Sequence, residues 1–228
     1  MTGFDAADVG AALAVVRDRI RAAGGDDSVS ILPVTKGFGP EAIEAAIGAG
    51  CSSIGENYAQ ELIAKRDVLD RGGRSVNVHF IGRLQTNKVR QLTDLVDVYE
   101  TVDRLRLATE IAKRAPGAKI LIQVDTEGEL GKGGCPIGDL NTLVDNVVGL
   151  ELDLRGLMTV GPTIGGPEAA RDGFRQVRKA VDRLGLAVCS MGMTGDLEVA
   201  VQERTTQIRV GTALFGSRHV PIWRDQER

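Results

Sequence analysis

Eight short β-rich runs, separated by helical patterns, constrain this chain more than any single residue does. The runs fall near 31–36, 52–54, 77–81, 96–99, 118–125, 152–158, 186–190 and 206–210. Helical patterns lie between them, near 40–49, 57–71, 86–93, 103–115, 137–148, 167–184 and 195–203. Strand–helix alternation means parallel strands joined by right-handed crossovers. Eight such units in 228 residues predict a compact α/β fold, the (β/α)8 TIM barrel, with an open doubly wound sheet as the alternative. Ahead of the first run, Val9, Leu13, Val16 and Ile20 recur at helical spacing before Gly24-Gly25, which adds an N-terminal helix. No repeat, low-complexity tract or linker rich in Pro, Gly or Ser divides the sequence, so residues 1–228 read as a single domain.

Composition removes several classes of partner. A formal net charge of -3 offers no attraction to nucleic acid or an anionic membrane, and 4% aromatic residues supply no stacking platform for single strands. Cys51, Cys135 and Cys189 are odd in number and far apart, which argues against a disulfide framework or a zinc site and fits a reducing cytosol. The start, Met1-Thr2-Gly3-Phe4-Asp5, lacks the basic and apolar regions of a signal peptide. No apolar stretch is long enough to span a bilayer. The expected location is the cytoplasm.

In a barrel the residues after each strand converge at one mouth. Lys36 ends the run Ile31-Leu32-Pro33-Val34-Thr35-Lys36, so the first strand is expected to deliver an amine there. A lysine partly withdrawn from water loses proton affinity and can attack an aldehyde. The loops after strands seven and eight are where such barrels bind phosphate, through backbone N–H groups. Here they read Gly192-Met193-Thr194-Gly195 and Gly211-Thr212. A strand-end lysine facing two such turns predicts a phosphorylated aldehyde as ligand.

Six segments then carry a resemblance over nearly the whole chain, in order. They are Val34-Thr35-Lys36, Gly55-Glu56-Asn57-Tyr58, the run from His79 to Lys88, Arg155-Gly156-Leu157-Met158, the turn from Gly192 to Asp196, and the run from Ile208 to Gly216. This pattern resembles the pyridoxal phosphate homeostasis proteins, the YggS-like (PROSC-like) family. The resemblance implies a fold-type III barrel similar to the N-terminal domain of alanine racemase. It implies pyridoxal 5′-phosphate (PLP) held on Lys36 as a Schiff base, and a carrier or regulator of vitamin B6 without established catalysis. It places Met193, Thr194, Gly211 and Thr212 at the phosphate, Arg209 at the pyridine nitrogen, and Asn57 and His79 beside the ring. A guanidinium keeps its proton, so a ring nitrogen facing it stays unprotonated and is a weaker electron sink.

The family often has serine where this chain has Thr194 and an acidic residue where it has Gly195, and Gly37-Phe38-Gly39 departs from its usual turn. Thr194 and Thr212 also suit helix N-caps, as do Glu56 and Asn57; the bland reading of Arg209 is an ion pair, and of His79 a structural histidine. Glu127 to Gly134 reads as a mobile lid whose Lys132 is a solvated loop lysine, with a second amine near the mouth as the alternative. The enzymatic alternative is an amino-acid racemase, which needs an acid/base on each cofactor face. The racemases draw the second from a C-terminal β-domain, which is not expected here because the chain stops at Arg228; Tyr58 is the sole tyrosine near the mouth. The expected partners are PLP, apo PLP-dependent enzymes and amino acids, and the expected state is a monomer. A segment from Val220 to Trp223 is read as packing on the rim or lying free.

Overall fold

The computed structural model describes residues 4–70, 76–129 and 131–217, so the Val220–Trp223 segment lies outside the described residues. Helix α1 (Ala6–Ala22) comes first; Asp5 caps it by accepting from the Ala7 N–H at 2.9 Å, and Val9, Val16 and Ile20 form its buried face. The barrel strands are β1 (Ser30–Pro33), β2 (Ser53–Glu56), β3 (Asn77–Phe80), β4 (Val98–Val102) and β5 (Lys119–Asp125), followed after a short side strand, β6 (Cys135–Pro136), by β7 (Asp153–Thr159), β8 (Val188–Ser190) and β9 (Gln207–Val210). Every pairing is parallel, in the order β1-β9-β8-β7-β5-β4-β3-β2. A bridge between Val34 and Gly55, with the Thr35 N–H on the Gly55 carbonyl at 3.1 Å, brings the two ends of that order together. The expected (β/α)8 barrel is the observed fold, with α1 as its extra helix.

Helices α2 (Pro40–Gly48), α3 (Ala59–Ala64), α4 (Arg66–Asp70), α5 (Val89–Leu92), α6 (Leu105–Arg114), α7 (Leu140–Val148), α8 (Arg171–Leu184) and α9 (Leu197–Gln202) connect the strands, and α10 (Thr212–Phe215) follows β9. Their apolar stripes supply the outer core. On α8, Phe174, Val177 and Val181 face inward, and Gly185 ends the helix in the left-handed region at φ 64°, where a side chain would be strained. Among the described residues, no helix is long and apolar enough to cross a membrane.

Three departures from the sequence reading bear on function. Lys36 is not the last residue of a strand: β1 stops at Pro33, Val34 makes a single bridge, and Lys36 lies in the following turn, where Gly37 takes φ 77°. The partner strand β9 ends at Val210, whose carbonyl accepts from Val34, so no ladder remains for Lys36. The helix expected over 57–71 breaks at Lys65, whose side chain turns inward and is buried. Finally, β6 directly follows the segment read as a lid and pairs Cys135 with Val124 on β5, so that segment is anchored at its end.

Candidate functional site

One cavity of about 260 Å³ at the carboxyl ends of β1, β7, β8 and β9 gathers seven of the eight residues singled out in the sequence. Lys36 and Asn57 stand on one side, with Lys36 Nζ donating to Asn57 Oδ1 at 3.3 Å. Met193, Thr194, Gly211 and Thr212 line the other side, and Arg209 completes the lining. His79 does not line the cavity. Val34, Ile81, Met158, Val160 and Gly195 supply the remaining, mostly apolar walls; Val160 lies outside every segment singled out in the sequence.

The two threonine-bearing turns are open to a ligand. Asp196 and Gly211, not the threonines, occupy the N-cap positions of α9 and α10, and neither threonine hydroxyl makes a hydrogen bond among the described residues. The N–H groups of Thr194, Gly195 and Thr212 likewise donate to no acceptor among the described residues. Groups that share a concave wall and lack protein partners suit an anion with several acceptor oxygens. The first turn is braced from both ends. Asp196 Oδ1 accepts from the Met193 N–H at 2.5 Å, and Arg19 of α1 donates to the Thr194 carbonyl at 2.9 Å while pairing with Glu198 at 2.7 Å. Nothing in the local pattern of α1 marks Arg19 for that task, because its partners lie 175 and 179 residues away.

Lys36 is positioned by a buried charge cluster. Lys65 Nζ donates to Glu56 Oε1 at 2.7 Å, to Glu61 Oε1 at 2.6 Å and to the Thr35 carbonyl at 3.0 Å, using all three of its protons. Glu61 Oε1 also accepts from the Gly37 N–H at 2.7 Å, and Thr35 donates to Glu56 Oε1 at 2.6 Å. The cluster therefore grips the backbone on both sides of Lys36. Glu56 is no helix cap; burial raises its pKa against the opposing pull of Lys65. The lip beyond Lys36 is set by Phe38, whose ring packs edge-on to Phe4 at 5.3 Å and tilted against Phe215 at 5.5 Å.

Arg209 is held from inside the barrel. Its Nη1 donates to the Ser190 carbonyl and hydroxyl, both at 2.8 Å, and its Nη2 to the Thr159 carbonyl at 2.7 Å. Behind it Glu100 reaches across from β4: Oε2 accepts from Ser190 at 2.8 Å, and Oε1 from Gln207 at 2.7 Å and from His79 Nδ1 at 2.6 Å. Burial would push Glu100 up, yet its bond to His79 and the charges of His79 and Arg209 outweigh that and bring it below the usual carboxylate range. Burial lowers the Arg209 guanidinium, offset in part by Glu100, and an arginine remains charged regardless. His79, expected beside the cofactor ring, thus serves the carboxylate that supports Arg209. Lys132 is tied down too, donating to the Gly161 carbonyl at 2.8 Å and pairing with Glu129 at 2.7 Å. Tyr58 faces a separate cleft over β2, β3 and β4.

A barrel with a lysine on one side of its mouth and two unsatisfied turns on the other belongs to a defined class: residues 11–219 match the family model described as alanine racemase, N-terminal domain. Curated relatives narrow that class. A pyridoxal phosphate homeostasis protein of Pseudomonas aeruginosa is 37% identical over 211 residues, 89% of this chain and 91% of the relative. One from Aquifex aeolicus is 39% identical over 209 residues, 87% of this chain and 91% of the relative. This chain belongs to the pyridoxal phosphate homeostasis protein family. The solved structure of PipY from Synechococcus elongatus with PLP bound matches with a TM-score of 0.81 at 31% identity, covering 91% of this chain and 100% of that one. Alanine racemase of Clostridium difficile matches at 0.69 with 14% identity, over 88% of this chain and 55% of the racemase, a likeness of fold alone.

Proposed function

We propose that this protein binds pyridoxal 5′-phosphate covalently through Lys36 and serves the supply of that cofactor as a carrier or regulator, not as an enzyme. The observation that carries the reading is the cavity itself. An amine, two turns with unpartnered N–H groups and hydroxyls, and a buried guanidinium surround one space of about 260 Å³. The relatives' name and the PLP-bound neighbour support the same ligand.

The donor set fits the group. Thr194, Gly195, Gly211 and Thr212 would hold the phosphate, and Arg209 would face the ring nitrogen. Bound PLP supplies an aldehyde that an amine can capture, and its ring can accept electrons. Arg209 limits the second property, since a guanidinium hydrogen-bonded to the ring nitrogen does not give up its proton. Asn57 holds the Lys36 amine toward the cavity through its Oδ1.

Racemisation needs a proton donor or acceptor on both faces of a bound substrate. Among the described residues lining the cavity, Lys36 is the sole side chain of a type that exchanges a proton near neutral pH; Arg209 does not. Tyr58 lies in the neighbouring cleft. The lining therefore favours exchange of the cofactor with amines over chemistry at a substrate carbon. Apo PLP-dependent enzymes are the proposed recipients, and the cytoplasm the proposed location, in keeping with three unpaired cysteines.

Borohydride reduction followed by intact mass and peptide mapping tests the attachment. Wild-type protein is expected to gain one cofactor on Lys36, and Lys36→Ala to gain none. A full adduct in that variant, mapped to Lys132 or Lys88, would overturn the assignment. Fast exchange of the alanine α-proton in deuterated water would overturn the carrier reading.

A further inference from the structure

The neighbouring cleft is larger and its lining has an excess of positive charge. It encloses about 690 Å³ over β2, β3 and β4, at the same end of the barrel as Lys36. Three cations line it, Arg83, Lys88 and Arg104, against one carboxylate, Asp103. Arg104 is occupied: it bonds Asp103 and donates to the Leu84 carbonyl at 3.1 Å. Arg83 and Lys88 pair with no carboxylate among the described residues. On a chain of net charge -3, two unpaired cations facing one concavity concentrate a local positive field.

The rim that presents them is closely packed against its neighbours. Gly82 precedes Arg83, and a Cβ there would sit 1.8 Å from the Asn57 carbonyl oxygen, so glycine is required where the two loops touch. The Gly82 carbonyl accepts from the buried Thr101 hydroxyl at 2.7 Å. Asn57, pressed against Gly82, lines both the cleft and the cavity that holds Lys36. The two spaces therefore meet at the residue that accepts from the Lys36 amine.

We infer that this cleft binds the carboxylate of an incoming amino acid on Arg83 and Lys88, with the ligand's amine directed past Asn57 toward Lys36. Guanidinium and ammonium groups bind carboxylates through charge-assisted hydrogen bonds. Tyr58, Phe80 and Leu84 give the ligand's side chain an apolar wall. The inference rests on the reading that Lys36 carries an aldehyde cofactor, because that is what an amine at Asn57 would meet. It assigns the cleft a selectivity that a bare cofactor pocket lacks: amines bearing a carboxylate are favoured over those without one.

The test compares L-alanine with ethylamine on the cofactor-loaded protein, following the change in cofactor absorbance. Counted as unprotonated amine, L-alanine is expected to elicit the wild-type response at concentrations about tenfold lower than ethylamine. The double variant Arg83→Gln, Lys88→Gln removes that preference while retaining cofactor and thermal midpoint. A second measurement, nuclear magnetic resonance titration of Lys36→Ala protein, reads the cleft without the covalent link. There L-alanine is expected to shift the Arg83 and Lys88 side-chain signals, and ethylamine to leave them in place. Equal response to both amines, an unchanged preference in the double variant, or displacement of L-alanine by equimolar inorganic phosphate would overturn the inference. If Lys36 carries no cofactor yet the titration shifts appear, the function proposed above fails and the carboxylate site stands.

Discussion

Two buried charge clusters, one behind Lys36 and one beneath Arg209, are equally cut off from water but resolve their charges in opposite ways. Glu56 and Glu100 are both 0% exposed. Glu56 shares a single ammonium with Glu61, and the second oxygen of each carboxylate, Glu56 Oε2 and Glu61 Oε2, finds no partner among the described residues. Glu100 receives three donors and has Arg209 nearby as a counter-charge. Burial wins at Glu56 and raises its pKa; partners win at Glu100 and lower it. Depth alone does not set the sign; the supply of donors does. The first cluster trades electrostatic comfort for a grip on the turn that carries Lys36. The second holds a guanidinium still.

Removing the shared ammonium is the harshest way to break this contrast. Lys65→Met strands two carboxylates together in the interior, and such a loss typically costs about 3–5 kcal/mol. Equilibrium urea unfolding should show it, with a lowered cofactor affinity because the backbone around Lys36 is released. A loss below about 1 kcal/mol would mean the cluster is a bystander.

Glu100→Gln comes next, at about 1.5–3 kcal/mol near neutral pH, since charge-assisted bonds from His79, Ser190 and Gln207 are replaced by weaker ones. The sign of the pH effect follows from the lowered native value. Wild-type stabilisation by Glu100 is present above the unfolded value of about 4.3 and is lost as pH falls through the native one. The penalty of the variant should therefore shrink in acid. A penalty constant from neutral pH down to about pH 2 would contradict an ionised Glu100.

Glu56→Gln should have the smallest effect, under about 1 kcal/mol near neutral pH, because burial already works against the charged form there and an amide oxygen can still accept from Lys65 and Thr35. Its raised native value reverses the trend. The contribution of the wild-type side chain is full below about 4.3 and is lost as pH rises through the native value. The stability of Glu56→Gln relative to wild type should then improve on going from acid to neutral pH, opposite to Glu100→Gln. Parallel trends in the two variants would erase the distinction between the clusters.

The barrel was legible because its signal is local. Alternating strands and helices at short spacing, the extra first helix and the amine near the mouth all follow from neighbours in sequence. Seven residues foreseen for the cofactor do surround one cavity. His79 kept two readings because a strand residue before a mouth can point at a ligand or into the barrel, and periodicity does not distinguish the two; it does not line the cavity. Its choice was made by Glu100, 21 residues away. Lys65 was invisible for a related reason: in a helical pattern a lysine reads as solvated surface, and only the break after α3 turns it inward.

Taken alone, the order of residues determined the architecture, the lysine and the turns that face it, since each depends on short-range pattern and on the rule that parallel strands end together. Tertiary structure decided which way each buried acid is shifted, what braces the turn at Thr194, and which neighbour the second cleft adjoins. Those outcomes depend on pairs such as Ser190 with Glu100 and Gln207 with Glu100, 90 and 107 residues apart. Hydrogen bonds and Coulomb forces act through space, so closing the barrel is what brings such partners within reach.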